Sequence, residues 1–260
     1  MKQKFLDLES QLREQAPEQI QNAKDYAASI TDPEASDADK CWRVIWDKPL
    51  FANARVSVAE QIVKEFEPLL SGAWITIGKP DSNFHLKKIG AHKKTADFEL
   101  QGGLAERLKT KTASYRLYAI QGGAVALRHR AEAGRTAPYS GLSKLPVRTI
   151  VETIRAEMGL YWGHITVLHF LTDLGLACKP DIHLVRALER LLGRAVKISK
   201  IPTLDEAVAI NQEVRNLAVE LYGDAAPNRI RYLDKVLMEI SRQLFLRQQG
   251  TEGSGQVAGS

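Results

Sequence analysis

Between Met158 and Arg186 the chain reads MGLYWGHITVLHFLTDLGLACKPDIHLVR, and two residue types there have a definite chemistry. Gly159 stands in a short break between two helical patterns, and Asp181 follows Pro180 at the start of an amphipathic one. A glycine in such a break permits a backbone that exposes main-chain N–H groups. At the start of the next helix those groups form an anion site suited to a phosphate. An aspartate placed before a helix accepts hydrogen bonds from the free N–H groups of the first turn and is favoured in its ionised form by the helix dipole. A carboxylate fixed in that way is also aimed, which suits it to stabilise a developing cation or to orient a water. Capping by itself accounts equally well for Asp181. His164 and His169 lie five positions apart, about 140° around a helix, so they do not chelate one metal together. They read as histidines of the core or of a pocket edge.

The elements that must position these residues are helical. Pro146 suits the first turn of a helix running through Glu157. After the Met158-Gly159 turn, a second helix from Trp162 to Leu174 carries Ile165, Val167, Leu168, Phe170 and Leu171, which leaves little polar face and predicts burial on most sides. Residues 3–29 read as one or two surface helices, followed by the turn-rich TDPEASDADK. Ser57 precedes a helical pattern that stops at Ser71-Gly72. AWITIG is a short strand or a buried helical turn, and KPDSNFHLKKIGAHKKT reads as a basic loop. Helical patterns resume over 97–132, with the glycine pairs at 102–103 and 122–123 as breaks, and residues 134–144 form a loop. Thr203 with Glu206 three residues on makes a capping box for a helix to Tyr222. Pro227 opens a last helix through Leu246, and the Gly/Ser-rich tail 248–260 is expected to be disordered. The chain shows no internal repeat.

Composition sets outer bounds. With 260 residues and 44% apolar content, the chain buries one large core or two smaller ones. Cys41 and Cys178 lie far apart with no CxxC or Cys/His spacing, which argues against a disulfide scaffold, a zinc site or an iron–sulfur site. The charged opening MKQKFLDLESQLREQ has no apolar signal region, and no run reaches the roughly 18 apolar residues of a membrane span. The expectation is a soluble cytoplasmic protein. Net charge is +5, and it is unevenly placed: residues 1–40 hold five basic and nine acidic side chains. Residues 101–150 hold nine basic ones (Arg107, Lys109, Lys111, Arg116, Arg128, Arg130, Arg135, Lys144 and Arg148) against Glu106 and Glu132. A clustered positive field favours a polyanionic partner, bound through salt-dependent phosphate contacts. A solvated basic surface with no partner is the plainer account. P-loop, Rossmann, HExxH and Ser/His/Asp signatures are absent from the sequence.

The run from residue 146 to 193 resembles the helix-hairpin-helix, Gly/Pro-Asp (HhH-GPD) superfamily of DNA glycosylases, typified by endonuclease III and the alkyl-adenine glycosylases. In that family a hairpin of the form L-P-G-hydrophobic-G, a helix, and a V/P-D-x-H-hydrophobic-x-R segment follow in this order. Here Gly159 matches the first hairpin glycine, and Asp181, His183 and Arg186 match D-x-H-x-x-R. RIRYLDKVLMEISRQL resembles the family's closing helix, while the first 140 residues match only in being mainly helical. The resemblance implies an all-α, two-lobed fold with the active-site cleft between lobes. One lobe would comprise residues 1–50 and 195–247. The other, residues 51–194, would be a helical barrel holding the helix-hairpin-helix (about 147–175) and the helix of the catalytic Asp (181–193).

Three departures qualify the transfer. The second hairpin glycine is Tyr161, the hairpin proline is Glu157 or Met158, and Gly163 is an alternative phosphate contact. Bifunctional members carry a nucleophilic lysine 18 residues before the Asp; here that position is Gly163, so no amine is available there for a Schiff base. The four-cysteine iron–sulfur loop of endonuclease III is missing, so no metal or other cofactor is expected. The implied activity is that of a monofunctional DNA glycosylase acting as a monomer on double-stranded DNA with a modified base, near the nucleoid, and leaving an abasic site. Asp181 would be catalytic. Tyr161, Trp162 and His164 are candidates for the base pocket, though Tyr161 and Trp162 read equally as DNA contacts or as core, with Trp42, Trp46 and Tyr139 as further aromatic candidates. Gly159, Gly163, Lys144 and Arg148 are candidates for DNA contact. The base is one of repair or, in antiviral defence, a modified phage cytosine. Two rivals remain: a non-catalytic helix-hairpin-helix DNA-binding protein in which Asp181 only caps, and an unrelated helical interaction module.

Overall fold

The computed structural model describes residues 1–79, 85–91, 96–101 and 103–245, those between 85 and 101 by their backbone alone. In chain order the elements are α1 (Lys2–Gln15), α2 (Pro17–Ala28), α3 (Ala38–Arg43), α4 (Lys48–Phe51), α5 (Val56–Leu70) and α6 (Trp74–Ile77). An antiparallel pair follows, β1 (His85–Ala91) and β2 (Ala96–Gln101), then α7 (Gly103–Lys109) and α8 (Ser114–Glu132). A 3-10 turn, Leu142–Lys144, precedes α9 (Val147–Met158), α10 (His164–Asp173), α11 (Ile182–Leu192), α12 (Leu204–Tyr222) and α13 (Pro227–Glu239), which continues as a π-helical turn, Ile240–Phe245. The fold is mainly helical, as expected. The expectation for 248–260 falls outside the described residues.

The chain divides into two compact units. The first comprises Met1–Ile30 together with the chain from Leu171 onward, and the second is Thr31–Phe170. In the first unit α11 shows why its sequence folds as it does. Leu184, Val185, Leu188 and Leu191 recur along one helical stripe and are buried, and Gly193 ends the helix in a left-handed conformation (φ 67°). That stripe meets Phe5 and Leu12 of α1, Ile20 of α2, Ile210, Val214 and Leu217 of α12, and Leu233 and Leu237 of α13. Each such side chain contributes about 2 kcal/mol on burial. α12 carries the predicted capping box: the Thr203 hydroxyl accepts from the Glu206 N–H, while the Glu206 carboxylate accepts from the Thr203 N–H.

The second unit is built around α8, against which α3, α4, α6, α7 and α9 pack. Gly122 and Gly123 do not break this helix, contrary to the sequence expectation. They are where neighbours come closest: a Cβ on Gly122 would lie 2.2 Å from the Met158 carbonyl oxygen, and one on Gly123 would lie 2.5 Å from Ile45. Glycine is retained for close approach, not for a bend.

Three further expectations change. Part of the predicted basic loop is β1, and residues 97–101, read as helical, belong to β2. The apolar/charged alternation Asp97-Phe98-Glu99-Leu100 is the period-two signal of a strand. α5 starts at Val56, with Arg55 rather than Ser57 at its cap. The units also divide differently from the expected lobes: residues 31–50 belong to the second unit and 171–194 to the first. The physical reason is visible in the packing. Trp42 donates its indole N–H to the Leu70 carbonyl (2.6 Å) inside the second unit, whereas Leu184, Leu188 and Leu191 share a core with Phe5 and Leu12.

Candidate functional site

Asp181 sits at the N-cap of α11 in an extended conformation (φ −118°, ψ 171°). Its Oδ1 accepts the backbone N–H of His183 (2.9 Å) and that of Leu184 (2.8 Å). Its Oδ2 has no hydrogen-bond partner among the described residues, and the side chain is half-buried. One oxygen therefore fixes the carboxylate while the other is left to meet something else. The His183 ring stands with Nδ1 3.4 Å from the Ser241 hydroxyl.

The segment before Asp181 is held from behind. The Asn211 side chain accepts the Cys178 N–H (2.6 Å) and donates to the Cys178 carbonyl (3.0 Å) and the Ala207 carbonyl (2.9 Å), while Arg215 donates to the Leu176 carbonyl (2.7 Å). Gly175, at φ 66°, lies so close to the Pro227 backbone that a Cβ would fall 2.3 Å from its carbonyl oxygen. Arg231 joins Asp173 (3.1 Å) to Asp234 (3.2 Å), and the Tyr26 ring lies 5.3 Å from its guanidinium. Asp234 is buried, and burial is the main reason its carboxyl is raised to about 6. Arg231 and Lys235 oppose that rise, and the Asp181 charge adds to it. Burial lowers the neighbouring Lys235 amine, whose Nζ lies 4.2 Å from the centre of the Tyr26 ring. Reading the sequence missed Asn211, Arg231 and Asp234. Asn211 left one trace, a polar residue on the helical stripe that Ala207, Ile210, Val214, Leu217 and Ala218 make along α12.

The hairpin belongs to the second unit. α9 ends at Gly159, whose φ of 78° and ψ of −146° favour glycine, and whose N–H bonds the Arg155 carbonyl (3.0 Å). Tyr161, standing where the resembled family has its second glycine, takes a left-handed φ of 69°. A non-glycine residue there costs about 1–2 kcal/mol. Its ring lies 5.5 Å from that of Tyr115 and 6.1 Å from that of Tyr118, both on α8, and this clamp offsets the strain. Tyr161 and Leu160 are exposed at the tip. The tip leads directly into the start of α10, and a helix start offers N–H groups to an anion.

Several expected site residues prove structural. Trp162 lies outside α10, is 1% exposed, and donates its indole N–H to the Ala119 carbonyl (2.7 Å), so it is core rather than pocket lining. Trp42, Trp46 and Tyr139 are core as well. Among the described residues the Tyr139 hydroxyl has no hydrogen-bond partner, and burial pushes its pKa up. His169 packs edge-on against Phe51, and His164 is half-buried at the start of α10. Gly163 is exposed with open space where a Cβ would be. Lys144 is exposed and Arg148 pairs with Glu152 (3.6 Å). Both lie near the beginning of α9, whose 12 residues span about 18 Å, so they are a helix length from Gly159.

Much of the 101–150 charge is internally engaged. Arg130 forms a two-pronged pair with Glu157 (2.7 and 2.9 Å), Arg128 donates to the Gly78 carbonyl (2.9 Å), Arg116 to the Ala52 carbonyl (2.8 Å), and Lys111 pairs with Glu65 (3.1 Å). Arg107, Lys109, Arg135 and Lys144 stay exposed. Cys41 and Cys178 are both buried free thiols. Among the described residues no helix is long and apolar enough to cross a membrane, and no His/Cys/Asp/Glu cluster is arranged to hold a metal. Comparison with protein-family models, curated proteins and solved structures gives no match.

Proposed function

We propose that this chain is a monofunctional DNA glycosylase that flips a modified base out of duplex DNA and hydrolyses its N-glycosidic bond. The observation that carries this reading is the divided carboxylate of Asp181, on a half-buried side chain: Oδ1 is locked by two backbone N–H groups, while Oδ2 has no hydrogen-bond partner among the described residues. Cleaving the C1′–N bond puts positive charge on the deoxyribose. A fixed anionic oxygen stabilises that charge and directs a water to C1′, which leaves a hydroxyl on the sugar and releases the base with its bonding pair and a proton. The hairpin tip with Gly159 and Tyr161 would contribute backbone and aromatic contacts to the DNA, because a base inside the stack is out of reach of any carboxylate. Gly163 offers no amine for a covalent sugar adduct, so strand cleavage is not part of the reaction.

The capping bonds of Asp181 also support a second reading, a non-catalytic DNA-binding protein in which the carboxylate only ends a helix. Asp181→Asn separates the two, since an amide oxygen still accepts both N–H groups. The protein is incubated with duplexes carrying alkylated, oxidised, deaminated or phage-type modified bases and then heated in alkali. We expect strand breaks with the wild type and a loss of at least about 100-fold in rate with Asp181→Asn, with duplex affinity retained. Equal base release by both proteins refutes the catalytic role, and no release from any duplex favours the binding reading.

A further inference from the structure

At the other end of α11 from Asp181, the first unit holds an open groove of about 1030 Å³. Lys4 of α1, Arg186 and Arg190 of α11, and Arg194 just beyond Gly193 line it, with Asp7 and Glu189 as its acidic members. Among the described residues none of Lys4, Arg186 and Arg190 is in an ion pair, whereas Arg194 pairs with Glu213 (3.0 Å). Both acids are partly engaged: Asp7 accepts from the Gln3 amide (2.9 Å) and Glu189 from the Val196 N–H (3.0 Å). The negative end of the α11 dipole accounts for Arg190, which lies in the last turn. It does not account for Lys4, brought in from another helix, or for Arg186 in the middle of α11. Phe245 adds an aromatic wall, with the Arg190 guanidinium 5.8 Å from its ring centre.

We propose that this groove binds the sugar–phosphate backbone of a DNA strand, an inference that rests on the glycosylase reading for the identity of its partner. The groove is at the upper limit of small-molecule sites, which run to roughly 1,000 Å³, and its lining cations are exposed rather than converged on a buried point. Lone cations facing an open trough suit a run of phosphates, and an aromatic face beside an arginine suits a stacked base or a sugar. The 11 residues of α11 span about 16 Å, roughly five nucleotide steps of 3.4 Å. A strand that presents one nucleotide to Asp181 therefore has further phosphates within reach of Lys4 and Arg190.

The test uses the full chain and its Lys4→Gln/Arg190→Gln variant, both changes falling on exposed side chains. Binding of a fluorescent duplex is titrated over a series of salt concentrations, a melting curve checks folding, and base release is measured separately on a modified duplex. We expect the slope of log affinity against log salt to become shallower by about 1.8, or 0.9 for each phosphate no longer neutralised. An unchanged slope overturns the groove, as does failure of the wild type to retard duplex at low salt. A shallower slope in the variant, with no base released even by the wild type, leaves the groove standing and removes the glycosylase reading instead.

Discussion

Asp234 and Asn211 show how single side chains prepare the position of Asp181. Asp234 is buried beside Arg231, and burial outweighs the arginine, so its carboxyl titrates near 6 in the folded chain against 3.8 for an ordinary aspartate. Between those two values the folded chain binds more protons than the unfolded one. Stability from this group is therefore present at low pH and is lost as pH rises from about 4 to about 6. Asp234→Asn removes the titration while keeping the shape. The wild type should be most favoured relative to this variant near pH 4 and lose ground steadily up to pH 6 in thermal melts. A difference that stays constant across that range refutes the assignment. Asn211 is constrained in another way: it serves an N–H and two carbonyls at once, so neither a pure acceptor nor a pure donor replaces it.

Among the elements, α8 and α9 depend on glycine in a way that periodicity does not reveal. Gly122→Ala would drive a methyl into the Met158 carbonyl oxygen at 2.2 Å, a backbone atom at the end of α9 that has little room to retreat. We expect a loss of about 2–3 kcal/mol, measured by denaturant unfolding, and a disturbed hairpin tip, since Met158 leads directly into Gly159. A neutral result would mean that α8 and α9 pack less tightly than described. The elements legible in sequence were those with local signals: the Asp181 cap, the Thr203 capping box, Pro227 at the start of α13 and the turn at Gly159. The glycine pair misled because a helix break and a close helix contact both select glycine. The strand pair was obscured because its alternation is short and interrupted by lysines. Trp162 reads in sequence as either pocket lining or core, since nothing local discloses that its indole N–H is taken by the Ala119 carbonyl.

For the whole molecule, the count of basic residues in 101–150 was a poor guide to free charge, because Arg116, Arg128 and Arg130 are engaged in internal hydrogen bonds. Lys4 and the α11 cations Arg186 and Arg190, none of them in an ion pair among the described residues, come from parts of the chain that no sequence window joins. The first unit is discontinuous: α1 and α2 supply Phe5, Leu12 and Ile20 to a core whose remaining walls are α11, α12 and α13. Deleting residues 1–30 should leave Leu233 and Leu237 uncovered, seen as faster amide exchange along α13 and binding of a hydrophobic dye; retained protection would refute this dependence. The same discontinuity bears on biosynthesis. The ribosome must add the intervening residues 31–170 before the second half of that core exists, a delay of roughly 7–28 s at ordinary elongation rates. During that interval the nascent amino-terminal helices have their greasy stripes bare, which makes them the natural place for a chaperone to hold the growing polypeptide.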